Sequence, residues 1–224
     1  MLQESVQKFV QKSYDFDTRN KIMASERGYS EENWQLFAEL GWLTVTFSEA
    51  DGGLGGSAVD LILMMDEFGK AMLVEPFIPT TVLGGGLISA LGSAQQKAEF
   101  IPKIMAGGLQ LACAYAEANS RYNLSSVATT ARVNGDSVTI DGLKIAVLNG
   151  SNANKLLVVA RESGARTDRE GISVFMVDAD APGVSIQAFT NIDGKMSAQV
   201  SFEAVEGIDP CDLLRESVLH NRER

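Results

Sequence analysis

The sequence predicts an α+β protein, with a helical domain first and an antiparallel β domain of sandwich or barrel type after it. Two observations carry this. Apolar residues recur every three to four positions up to Gly108 and every second position beyond it. The second stretch, rich in Val, Thr and Ile, is also broken by Asn134-Gly135 and Asp141-Gly142, dipeptides that favour tight hairpin turns. On this reading residues 1–108 form the helical domain, 109–205 the β domain, and 206–224 a linker and the start of a further helical domain that the chain lacks.

Two of the helices have both a start signal and an apolar face. Ser30 before Glu31 and Glu32 reads as an N-cap with acids at the positive end of the helix dipole; Trp34, Phe37 and Ala38 share a face, and Gly41 supplies the stop. Over residues 57–73, Leu61, Met64, Met65, Phe68 and Met72 repeat at helical spacing, which predicts a mostly buried helix. A further helix is expected over residues 80–91. Ser93 with Gln96 forms a capping box, and Ala98, Ile101, Ile104 and Met105 make an apolar stripe that ends at Gly107-Gly108. The expected strands are 109–116, 127–133, 137–140, 144–148, 155–161, 172–177, 184–188 and 197–205, with turns at 163–171 and at Ala181-Pro182-Gly183. Residues 127–148 read as an antiparallel meander.

Composition narrows the function. The 224 residues carry 29 acids against 19 Lys and Arg, a net charge of −10, and such a surface repels the phosphate backbone that nucleic-acid binders must neutralise. Cys113 and Cys211 are the only thiols and His220 the only histidine, so neither a Cys/His metal centre nor a histidine-based triad has its parts. The N-terminus holds Gln3, Glu4, Gln7 and Lys8 where a signal peptide would be apolar, and the longest apolar runs, 61–65 and 156–160, fall far short of about 18 residues. These features predict a soluble, cytoplasmic protein without nucleic-acid or membrane partners.

Residues 53–58 satisfy the Gly-x-Gly-x-x-Ala pattern of dinucleotide sites, but the flanking segments read as helical, so a glycine-rich turn leading into the next helix is the better reading. Met64, Met65 and Met72 have the adaptability of a greasy ligand slot, yet their spacing favours core packing. Arg161, Arg166 and Arg169 alternate with Glu162, Asp168 and Glu170, as in a solvated loop. Cys113 reads as a buried small apolar residue and His220 as exposed. Residue chemistry alone yields no self-contained catalytic constellation.

The chain resembles the N-terminal and middle domains of the acyl-CoA dehydrogenases over about residues 3–216. The resemblance rests on 34–42, ending in Glu39-Leu40-Gly41-Trp42, on Asp51-Gly52-Gly53-Leu54-Gly55, on Asp66-Glu67-Phe68-Gly69-Lys70, and on Leu91-Gly92-Ser93-Ala94-Gln95-Gln96-Lys97 followed by Pro102-Lys103-Ile104. It continues in Gly142-Leu143-Lys144, Asn149-Gly150 and 201–205. Residues 115–117, 121–124 and 144–150 look closest to the small subunit of pimeloyl-CoA dehydrogenase, which implies a larger homologous partner subunit and a medium-chain or dicarboxylic acyl-CoA.

The family resemblance implies FAD, α,β-dehydrogenation of an acyl-CoA, and onward transfer of electrons to an electron-transfer flavoprotein. It places the flavin against Cys113, Tyr115 and Ala116 and against Ala146, Val147 and Leu148, with the substrate at Tyr122. The family's Thr-Glu-Pro reads Ala116-Glu117-Ala118 here, and its Trp-Ile-Thr reads Ala146-Val147-Leu148, so side-chain bonds to the flavin are reduced while backbone groups remain. The family's base is a glutamate of the C-terminal helical domain, so the resemblance assigns no catalytic residue and no metal ligand within this chain. The expectation is a flavoprotein fragment or subunit with little activity alone, working with a larger acyl-CoA dehydrogenase subunit or with itself as an oligomer. The competing expectation is a non-catalytic partner of a heteromeric dehydrogenase.

Overall fold

The computed structural model describes residues 2–134 and 137–208. Gly135 of the Asn134-Gly135 turn, Cys211, His220 and the rest of 209–224 lie outside the described residues.

The first half is helical: α1 (Leu2–Ser13), α2 (Phe16–Met23), α3 (Glu31–Glu39), α4 (Ala58–Lys70), a π-helix (Ile78–Gly85), α5 (Gly86–Leu91) and α6 (Ala94–Met105). Three starts follow the capping logic. Ser30 accepts from Asn33 N, and Ser57 with Asp60 and Ser93 with Gln96 close full capping boxes. The faces read from the periodicity meet in one aromatic cluster. Phe37 lies edge-on to Phe9 at 5.3 Å and stacks on Phe68 at 5.7 Å, with Trp42 and Phe77 around them. The helix expected over 80–91 begins at Ile78, and its first eight residues are wound as a π-helix, a form often found at functional sites.

The glycine-rich stretch 52–56 is a turn. Gly53, Gly55 and Gly56 donate their N–H groups back to Ser48, Phe47 and Val45, so none of these amides is available to cradle a phosphate. No strand adjoins it, which removes the dinucleotide reading. A Cβ on Gly53 would collide with the Phe47 carbonyl.

The second half is a curled seven-stranded sheet in the order β1-β4-β2-β3-β7-β6, with β5 on the other edge of β4. The strands are β1 (Leu111–Ala114), β2 (Thr130–Asn134), β3 (Ser137–Leu148), β4 (Lys155–Arg161), β5 (Ile172–Asp178), β6 (Val184–Thr190) and β7 (Met196–Ile208). The pairing is antiparallel except where β1 and one residue of β2 run parallel to β4, so the sheet is mixed.

One expected hairpin is absent. β3 runs straight through Asp141-Gly142 and pairs with β7 on both sides of it, with register shifts between Ile140 and Gly142 and between Lys144 and Val147. The glycine serves close packing instead of a turn: a Cβ there would lie 2.5 Å from Thr129 Oγ1. Such bulges bend a long strand and curl its sheet.

Burial on β1 alternates between two cores. Ala112 and Ala114 face the sheet's interior with Val147, Leu156 and Phe175, while Leu111 and Cys113 face the helices with Phe47, Phe100, Ile101 and Leu157. Gly53→Ala should destabilise the chain by about 1–3 kcal/mol, because the new methyl has no room to enter; thermal unfolding followed by circular dichroism checks this.

Candidate functional site

The two halves meet along a seam that encloses a cavity of about 470 Å³. Polar contacts span the seam. Arg19, buried, donates through Nε to Met72 O at 2.8 Å and through Nη2 to Asp193 O. Gln110 Nε2 donates to Tyr29 Oη at 2.8 Å, and Asn152 Nδ2 to Arg27 O at 3.0 Å. The cavity wall is mainly apolar, with Met65, Phe68, Met72, Phe77 and Pro79 from the helices and Leu148 from β3. Met72 ends α4 in the left-handed conformation, φ 49°, the place where glycine is usual. Its carbonyl is the group that Arg19 holds.

Glu75 is the buried carboxylate in this wall. Burial raises its pKa, and it accepts from Asn33 Nδ2 and Tyr14 Oη, each at 2.8 Å.

Residues 115–117, just after β1, lie beside residues 144–148 of β3. The Ile145 N–H donates to Ala116 O at 2.9 Å. Below this contact Lys144 Nζ meets Glu117 Oε1 at 2.8 Å with both side chains buried. Glu117 Oε1 also accepts from Thr129 N and Thr129 Oγ1, and its Oε2 accepts from Ala128 N. Burial alone would raise the Glu117 pKa, but Lys144 and these donors outweigh it and hold the carboxyl at about 2. Burial lowers the Lys144 pKa against the pull of its partner. Beyond Lys144, Ala146 takes φ 50° and stands exposed, and Asn149 takes φ 62° with its N–H on Met196 O.

The structure brings most of the expected contact residues to this edge. Cys113 ends in the helix-facing core, its thiol pushed up to about 12 by burial. Tyr115 and Ala146 are exposed and Ala116 and Leu148 half-buried, whereas the Val147 side chain is sealed in the sheet's core. Tyr122 is fully exposed in the turn after β1. Glu117, which matches the family's motif glutamate, points inward to Lys144. Glu67 is likewise engaged, by Lys70 at 2.9 Å and Gln3.

The preference for core packing holds for Met64 and in part for Met65, which packs against the same core while lining the cavity, but not for Met72, which is exposed and lines the cavity. One side chain of the loop arginines is no solvated charge either: Arg161 is buried and donates to the carbonyls of Ser125, Val127, Ser163, Arg166, Asp168 and Glu170.

A helical domain joined to a curled, mixed sheet with a cavity at the seam is the architecture of a known enzyme family. Residues 1–108 match the acyl-CoA dehydrogenase N-terminal domain and residues 112–205 the middle domain, and the chain belongs to the acyl-CoA dehydrogenase family. It is 33% identical over 165 residues to acyl-CoA dehydrogenase FadE12 of Mycobacterium tuberculosis, covering 72% of this chain and 42% of that protein.

Two solved structures share the fold. The ChsE4–ChsE5 complex of Mycobacterium tuberculosis matches with a TM-score of 0.83 at 19% identity, covering 95% of this chain and 55% of that one. A glutaryl-CoA dehydrogenase of Mycobacterium smegmatis in complex with FADH2 matches with a TM-score of 0.80 at 22% identity, covering 95% and 54%. The chain thus spans about half the length of the relatives it matches.

Because the Glu117 carboxyl sits below its ordinary 4.5, its contribution to stability is present above about pH 4.5 and is lost as pH falls toward 2. The difference corresponds to on the order of 3 kcal/mol. Glu75, shifted the other way, does not produce a loss on acidification. Denaturant unfolding between pH 6 and 2 should show this acid limb, flattened in the Lys144→Met/Glu117→Gln double variant.

Proposed function

We propose that this chain supplies the acyl-binding helices and the flavin-facing wall of an acyl-CoA dehydrogenase-like subunit, serving the α,β-dehydrogenation of an acyl-CoA thioester with FAD as hydride acceptor. The observation that carries this reading is the placement of Leu148. It follows the exposed Ala146 bulge and also lines the seam cavity, so an acyl group in the cavity would lie against the same wall as the cofactor.

The residues present fit a flavin ring. The half-buried Ala116 N–H meets no acceptor among the described residues and is free to donate. None of the six expected contact residues carries a charge, so the ring would bury no unpaired ion. Ala116, Ala146 and Leu148 would pack against it, and Cys113 and Val147, whose side chains are sealed in the two cores, would contribute backbone only.

FAD, when bound, supplies the hydride acceptor. Met65, Met72, Phe77 and Pro79 bind the acyl group and exclude water from it. Both oxygens of Glu75 are occupied by Asn33 and Tyr14, so no catalytic base is assigned in this chain. Tyr122, fully exposed in the turn after β1 and outside the cavity lining, is assigned to the substrate on the family resemblance alone. We place the chain in the cytoplasm, paired with a larger homologous subunit as in pimeloyl-CoA dehydrogenase or with a second copy, and passing electrons to an electron-transfer flavoprotein.

The absence of side-chain hydrogen-bonding groups at Ala116, Ala146 and Leu148 favours a second reading, a non-catalytic partner subunit that shapes the pocket. Titration of the purified chain with FAD, followed in the visible spectrum with and without a medium-chain acyl-CoA, separates the two. The first reading expects a perturbed flavin band, and Ala116→Thr should tighten FAD about fivefold, the worth of one added hydrogen bond of about 1 kcal/mol. Acyl-CoA binding without flavin binding would favour the scaffold. Binding of neither overturns both.

A further inference from the structure

We propose that Lys144 and Glu117 are the positioning pair of the cofactor-facing wall, holding β3 in the register that turns Ala146 outward and brings Leu148 to the cavity. The proposal rests on reading residues 113–116 and 146–148 as the flavin wall.

The argument begins with the cost of the pair. Lys144 is fully buried, and taking an ammonium and a carboxylate out of water is repaid only by close geometry and further hydrogen bonds; apolar side chains of similar volume hold such a site as well. Stability alone therefore does not account for a lysine here.

Register does. Lys144 occupies an inward position of β3, where a lysine is favourable only if a carboxylate waits for it. The strand is already irregular at that point, with a register shift between Lys144 and Val147 and a left-handed Ala146. A one-residue slip would carry the Lys144 side chain to solvent and exchange the faces of the residues beyond it, moving Leu148 off the cavity. The 2.8 Å ion pair opposes that slip.

Glu117 is in turn held from three directions. Thr129 N at 3.0 Å, Thr129 Oγ1 at 2.8 Å and Ala128 N at 2.8 Å join Lys144 on its two oxygens. The segment that carries those donors is pinned by Arg161, which bonds the carbonyls of Ser125 and Val127 and gives its own N–H to Thr129 O. The carboxylate is thus a fixed point, and the backbone on either side of the pair, Ala116 and Ile145, meets in the 2.9 Å bond at the wall itself.

The test compares the wild-type chain with Lys144→Met/Glu117→Gln, which removes both charges and keeps an acceptor for Thr129, and with Thr129→Val, which removes one donor to Glu117. Three quantities are read: the thermal midpoint, the hydrogen-exchange rate of the Ile145 amide, and FAD affinity from the visible spectrum. The expected result for the double variant is a midpoint near that of the wild type, Ile145 exchange at least tenfold faster, and FAD bound at least tenfold more weakly. Thr129→Val should show a smaller change in the same direction, and it decides the matter if the double variant does not fold. Unchanged Ile145 exchange in the folded variants overturns the proposal, as does a loss of protection spread evenly over the whole sheet. Faster exchange at Ile145 in a chain whose wild type binds no FAD leaves the positioning pair standing and removes the flavin reading.

Discussion

The strand β1 is buried on both faces, and most of the site's geometry follows from that constraint. Its four residues alternate between the interior of the curled sheet and the surface that packs on α5, α6 and Phe47. A strand covered on both sides cannot slide or tilt without opening one of two cores, and apolar area removed from water stabilises at roughly 25 cal/mol per Å². The helices are therefore fixed relative to β4 and β3, and the cavity is the space left where the seam does not close. The chain emerging from β1 at Tyr115 is delivered beside the β3 bulge for the same reason.

Polar groups refine this placement. Arg19 and Arg161 are both buried and both spend their donors on backbone carbonyls, each tying together loops that the apolar cores leave free. Burial of a guanidinium is tolerable only when its planar set of donors is met, so each arginine specifies the path of the carbonyls around it. Lys144 and Glu117 add a fixed charge pair below the wall, whereas the wall itself is uncharged. The ionic groups are thus kept one layer behind the uncharged residues 115–116 and 146–148.

Much of this was legible in the sequence. Ser30 and Ser93 mark helix starts because a capping hydroxyl and its partner lie within four residues of each other, and the change of period after Gly108 marks the passage from helix to strand. Strand 155–161 is bounded as expected. The readings that missed depended on distant neighbours. Asp141-Gly142 has the composition of a hairpin turn, yet Thr129 packs on the glycine and β7 pairs on both sides of it. Met65 and Met72 carry the same spacing as Met64, but only the position of the β domain decides which methionine is covered and which lines a cavity. Arg161 reads as one of several loop charges until the carbonyls of 125–127 and 163–170 are folded around it.

The sequence by itself determined the order of the helical and β halves, the starts of α3 and α6, and the family, since each is a property of residues close in the chain. The tertiary structure alone decided that Glu117 faces Lys144, that Val147 is sealed in the core while Leu148 reaches the cavity, and that β3 continues through Asp141-Gly142. These outcomes turn on contacts between residues far apart in the chain, where burial on two faces and the pairing of buried charge select one register among several that local preference allows.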